Sequence, residues 1–184
     1  ITILSGENDG TWLGELLQYL PHNRSIELLN VYVEPIVVGE QLSSHIYELE
    51  WDIFHMLTPF IEHNSNLRNI QLHWGTQPML NSLTLALSTC KNKRLERIEL
   101  HRALAEDDYD RIFASLTEYN NLLEICVGDS EIGTLGCVEL SKFLRNSESK
   151  IHKLQLLNNE LDDERMVILS IGLMRSKNLR SLDF

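Results

Sequence analysis

The chain is poor in cysteine, in positive charge and in long apolar runs. Three cysteines (Cys90, Cys126 and Cys137), with no CxxC pair, give no disulfide framework. They are expected as reduced thiols, two of them buried, in an intracellular and cytoplasmic protein. No stretch approaches the roughly 20 consecutive apolar residues that a membrane-spanning helix requires. The first residues, Ile1-Thr2-Ile3-Leu4-Ser5-Gly6, show no basic and apolar pattern of a secretion signal, and no initiator Met. Lys and Arg number 16 against 27 Asp and Glu, a formal charge of −11. That balance excludes non-specific nucleic-acid binding, which depends on surplus cations facing phosphate, and favours a basic protein partner. HExxH, GxSxG, Walker A and GxGxxG signatures are also missing, so nothing in the sequence points to catalysis or to a cofactor.

What the chain does have is a repeat. Leu67-Arg-Asn-Ile70-Gln-Leu72 has the form LxxLxL, and the form returns at Leu95, Leu122, Ile151 and Leu179, at steps of 28, 27, 29 and 28 residues. Upstream, Ile26-Glu-Leu-Leu29-Asn-Val31 fits but precedes Leu67 by 41 residues, so that repeat carries about 13 residues beyond the norm. Residues 34–48 hold this insertion, and a helix is expected from Ile46 to Ile61. Ile1 and Ile3 fill the last two apolar slots of a still earlier copy. The reading is a single unit over 1–184, cut inside a repeat at both ends, with uncapped apolar core expected at each end.

Each copy has two halves of different period. The end of LxxLxL alternates apolar and polar residues, the period of a strand with one buried face. The second half spaces apolar residues three or four apart, as in Leu135, Val138, Leu140, Phe143 and Leu144, or Met166, Leu169, Leu173 and Met174; this is the period of a helix. Strand and helix in strict alternation predict an α/β architecture with parallel strands near 1–4, 28–32, 69–73, 97–101, 124–128, 153–157 and 181–184.

The pattern resembles the ribonuclease-inhibitor-like class of leucine-rich repeat. The best match is Ile151-His-Lys-Leu154-Gln-Leu156-Leu-Asn-Asn159-Glu-Leu161, continuing to Leu169 and Leu173. The preceding copy matches with Ile132, Gly136, Leu140 and Leu144, but carries Ser130 where the class has Asn. The resemblance implies a leucine-rich-repeat solenoid, or horseshoe, with a parallel concave sheet and convex helices. It also implies a protein–protein interaction module. Members further serve as regulatory or sensor segments of larger multidomain proteins and as structural subunits of large assemblies. One branch is GTPase-activating, through a loop arginine that no position here matches.

Acidic groups precede the second halves (Glu106-Asp107-Asp108, Asp129 with Glu131, Asp162-Asp163-Glu164) and basic ones close them (Lys91 to Arg94, Lys142, Arg145 and Lys150, Arg175 with Lys177). They are expected to cap helix ends and complement the helix dipoles. On the concave face, one row of positions reads Leu4, Tyr32, His73, His101, Gly128 and Leu157; another reads Thr2, Asn30, Gln71, Glu99, Cys126, Gln155 and Asp183. Tyr32, His73, Trp74, Glu99, His101 and Arg102 form the candidate partner-binding cluster, with Trp74 as its anchor, since aromatic residues and Arg dominate binding hot spots. A metal site is not expected, because a flat sheet does not converge its donors. Cys126 and His101 are expected as diagonal neighbours about 7–8 Å apart at Cβ, out of direct reach.

Overall fold

Alternating apolar residues put one face of each extended segment into a core, and the following three-and-four spacing puts a helix over it. The computed structural model describes residues 2–5, 19, 23, 25–33, 37–38, 41–42, 58–73, 77–90, 93–101 and 109–184. In chain order the elements are β1 (Thr2–Ser5), β2 (Leu28–Val33), β3 (Val37–Val38), β4 (Gln41–Leu42), β5 (Asn69–His73), α1 (Gln77–Thr89), β6 (Arg97–His101), α2 (Tyr109–Leu116), β7 (Glu124–Gly128), α3 (Thr134–Arg145), β8 (Lys153–Gln155), α4 (Asp163–Leu173) and β9 (Ser181–Asp183). Residues 58–63 are also helical.

Seven strands form one sheet in the order β1-β2-β5-β6-β7-β8-β9, and every neighbouring pair is parallel. The register is straight: Ile70, Ile98, Ile125, Leu154 and Leu182 stand opposite one another, strand after strand. A single backbone device ties each strand from β5 onward to the one before it in the sheet. The Glu27 carbonyl accepts from both Arg68 N and Asn69 N, at 2.9 and 3.0 Å. The carbonyls of Arg68, Glu96, Leu123 and His152 each take the two corresponding amides of the next strand in the same way. The repeat counted in the sequence is therefore also a repeat of geometry. We call each strand with its following helix a rung.

The core is the face carrying Leu29, Val31, Ile70, Leu72, Ile98, Leu100, Ile125, Val127, Leu154 and Leu156, all buried together with helix residues. In α2 the buried stripe is Tyr109, Ile112, Phe113 and Leu116, at helical spacing. Each such Leu, Ile or Phe contributes roughly 1.5–3 kcal/mol by leaving water. Successive helices pack on one another, α1 on α2, α2 on α3 and α3 on α4. Gly172 permits the last contact, because a Cβ there would stand 2.7 Å from Ser141 Cα.

Several expectations need correction. Leu135 is 62% exposed; the buried stripe of α3 is Gly136, Cys137, Leu140, Ser141, Phe143 and Leu144, and Leu135 falls off it. Asp129 and Glu131 do not cap that helix. Asp129 turns into the left-handed region at φ 49°, and the N-cap is Gly133, without a side-chain bond. Asp162 does cap α4, accepting from Arg165 N at 2.8 Å. All three cysteines are buried, not two. Of the 34–48 insertion, Val37–Val38 and Gln41–Leu42 form a small antiparallel pair apart from the main sheet. Most of the helix expected from Ile46 to Ile61, and the acidic group 106–108, lie outside the described residues. No helix of the described residues is long and apolar enough to cross a membrane.

Candidate functional site on the open face of the sheet

Where alternate residues of a strand enter the core, the others face the opposite way. The register assembles them into rows: Asn30, Gln71, Glu99, Cys126, Gln155 and Asp183 in one, Tyr32, His73, His101 and Gly128 in the next. Neighbouring strands are about 4.8 Å apart, so identical side chains in register stack. The rings of His73 and His101 do so, with centroids 4.8 Å apart and planes 3° from parallel. Tyr32 extends the row, its ring 5.4 Å from His73 and tilted by 44°.

Glu99 is the hub of the polar contacts. Its Oε2 accepts from Arg97 at 2.6 Å and from Gln71 Nε2 at 3.2 Å. Its Oε1 lies 2.8 Å from His101 Nε2. Arg97 also reaches Glu124 on the next strand, at 3.4 Å. The bond to His101, helped by Arg97 and opposed by burial, holds the Glu99 carboxyl down at about 2. The Cys126 sulfur beside the ring and the Glu99 carboxylate together push His101 up to about 9, against burial. Of these two, the 2.8 Å carboxylate contact is the tighter, since the sulfur stands 3.9 Å from Nε2. Burial and the charge of His101 lower His73. At neutral pH the stack therefore pairs a cationic ring with a neutral one, an attractive arrangement.

The approach of Cys126 to His101 corrects the expectation that they lie out of reach. Gly128 stands opposite His101 in the register. A Cβ there would lie 2.5 Å from His101 Nδ1, so the missing side chain lets the imidazole lie across β7. The ring leans back toward Glu99 and Cys126, and Cys126 is left 5% exposed on the face that was expected to be open. The donors also converge: a Glu99 oxygen, a His101 nitrogen and the Cys126 sulfur all lie within 4.8 Å of one another. The expectation that a flat sheet keeps its donors apart therefore does not hold for these three.

Of the six residues proposed from sequence, Tyr32, His73, Glu99 and His101 come together as described; Trp74 and Arg102 lie outside the described residues. Sequence reasoning passed over Arg97 and placed Gly128 in the row without giving it a role. Arg97 carried a usable signal, since it lies two positions before Glu99 and so on the same face of the strand. Models of known protein families give no match to the chain, and a search of curated proteins gives none either.

Proposed function

We propose that this chain is a stretch of leucine-rich-repeat solenoid, of the ribonuclease-inhibitor-like class, and that it binds another protein across the open face of its sheet. The observation that carries the binding role is the two-sidedness of the sheet. One face is core; the other presents a continuous half-buried row of rings, Tyr32, His73 and His101, beside a polar row centred on Glu99. Rings held rigidly by a sheet offer large contact area at little entropic cost.

Two details support the repeat class. The repeated two-amide bond to each carbonyl recurs at the repeat spacing. Buried Asn159 donates Nδ2 to Val127 O at 2.8 Å and Leu157 O at 3.1 Å, tying one rung to the strand of the previous one. Ser130, in the equivalent slot one rung earlier, donates its hydroxyl to Gly128 O of its own rung, at 2.9 Å.

Charge refines the partner. Arg97 pairs with both Glu99 and Glu124 on the open face, so the net charge of −11 acts over distance and draws a basic protein in rather than gripping it. Nucleic acid is disfavoured by the same charge. The test is affinity capture with the chain and two variants: Tyr32→Ala/His73→Ala on the open face, and Val167→Ser/Ile171→Ser on α4. Partners should be lost with the first variant, by tenfold or more in affinity, and kept with the second. Equal retention by both, in folded variants, removes the open face as the binding surface.

A further inference from the structure

Glu99, His101 and Cys126 bring one carboxylate, one imidazole and one thiol to a single point on the open face. We propose that these three residues bind a zinc-class divalent transition ion, with the fourth coordination position directed away from the sheet. The donor set carries the choice of ion. Sulfur with nitrogen suits zinc and its neighbours, whereas calcium and magnesium demand oxygen throughout. A thiolate and a carboxylate also match a divalent charge, so the loaded site is neutral and its half-burial costs little.

The geometry is close to what such an ion requires. Tetrahedral zinc, with bonds of about 2.0–2.3 Å, separates its nitrogen and sulfur ligands by about 3.5 Å. His101 Nε2 and Cys126 Sγ stand 3.9 Å apart. Nε2 and Glu99 Oε1, at 2.8 Å, must open by about half an ångström. The third pair, a Glu99 oxygen and the Cys126 sulfur, lies within 4.8 Å and closes toward about 3.5 Å on loading, through rotation of the side chains.

The surroundings orient the donors. Arg97 and Gln71 both hold Glu99 Oε2, which leaves Oε1 turned toward His101 and Cys126. His101 is seated between the His73 ring and the space left by Gly128. Cys126 is buried beneath. Such outer partners are what fix ligand orientation in metal sites, and altering them weakens binding by roughly 10–100-fold. On loading, the ion takes the place of the protons on Nε2 and Sγ, which pass to solvent.

Cobalt(II) is the probe, added to the reduced 184-residue chain. One equivalent should produce a thiolate-to-cobalt charge-transfer band and the visible bands of tetrahedral cobalt, and zinc should displace both. Cys126→Ser should abolish the charge-transfer band, while Cys90→Ser and Cys137→Ser leave it intact. Glu99→Gln and His101→Gln should weaken binding tenfold or more. Gly128→Ala removes no donor atom and should nonetheless weaken binding by roughly 10–100-fold, because it unseats the His101 ring. Far-ultraviolet circular dichroism verifies that each variant is folded. A folded parent chain without the band, or a band that survives Cys126→Ser, overturns the assignment.

Discussion

Glu99 and His101 stabilise one another through a contact whose pH dependence has a definite sign. In chelator-treated protein, His101 should titrate near 9 and His73 below the ordinary 6.5, as read from imidazole proton shifts. A histidine raised on folding contributes stability that is complete below its unfolded value and lost as pH climbs from 6.5 through about 9. Glu99, lowered to about 2, contributes above its unfolded value of 4.5 and loses that contribution toward acid. His73, lowered on folding, acts the other way and removes stability as pH falls below 6.5. Denaturant midpoints should therefore decline on both sides of neutrality, and His101→Gln should abolish the alkaline decline and weaken the acid one, because the His101 bond is the main cause of the low Glu99 value. A His101 resonance that titrates near 6.5 contradicts the contact. The row Tyr32, His73 and His101 was legible in the sequence because register follows from repeat spacing. The meeting of His101 with Cys126 was not legible, since it depends on a ring orientation opened by Gly128, which Cβ positions on an idealised sheet do not convey.

Strands and helices are where local chemistry decides stability. Asn159→Ala removes two bonds, to the buried carbonyl of Val127 and the partly buried one of Leu157, and should cost about 1–3 kcal/mol in equilibrium unfolding. Asp162→Ala removes the α4 cap and should cost about 1 kcal/mol. In the other direction, Gly133 caps α3 at φ −63° and ψ 171°, a conformation open to any residue. Gly133→Ser should therefore raise stability by a few tenths of a kcal/mol, and a loss would show that the loop preceding α3 needs its glycine. Strand positions were legible to within a residue or two because period-two alternation is backed by the fivefold repeat. The caps were less so. Asp129 looked like a cap for the following helix, yet it occupies a left-handed turn and accepts from Asn158 Nδ2 of the next rung at 2.9 Å. Acidic residues before a helix serve either use, and composition alone does not separate them.

Among the described residues, exposed large apolar side chains gather at α4 and β9. Met174 is 86% and Phe184 50% exposed, with Val167, Ile171 and Leu182 beside them in exposure. Apolar surface of this kind binds hydrophobic dyes and promotes association. The 184-residue chain should bind such a dye, and Val167→Lys/Met174→Lys should reduce the signal without shifting the unfolding midpoint by more than its error. A parent chain that excludes dye contradicts this. The carbonyls that each receive two amides from the next strand have a mechanical meaning as well. They act like the teeth of a zip, each joining one rung to its neighbour. Among the described residues, helix packing likewise joins each helix to the next. In such a one-dimensional array, opening costs roughly one interface at a time, and a defect isolates what lies beyond it. Amide exchange should accordingly form a gradient, slowest at Leu123 and Glu124 and fastest at Arg180 and Ser181. Loss of the Asn159 bridge should loosen α4 and β9 while the rungs before it keep their protection. A partner that spans several rungs would then act as a splint, lending its own stiffness to a structure that otherwise frays from its end.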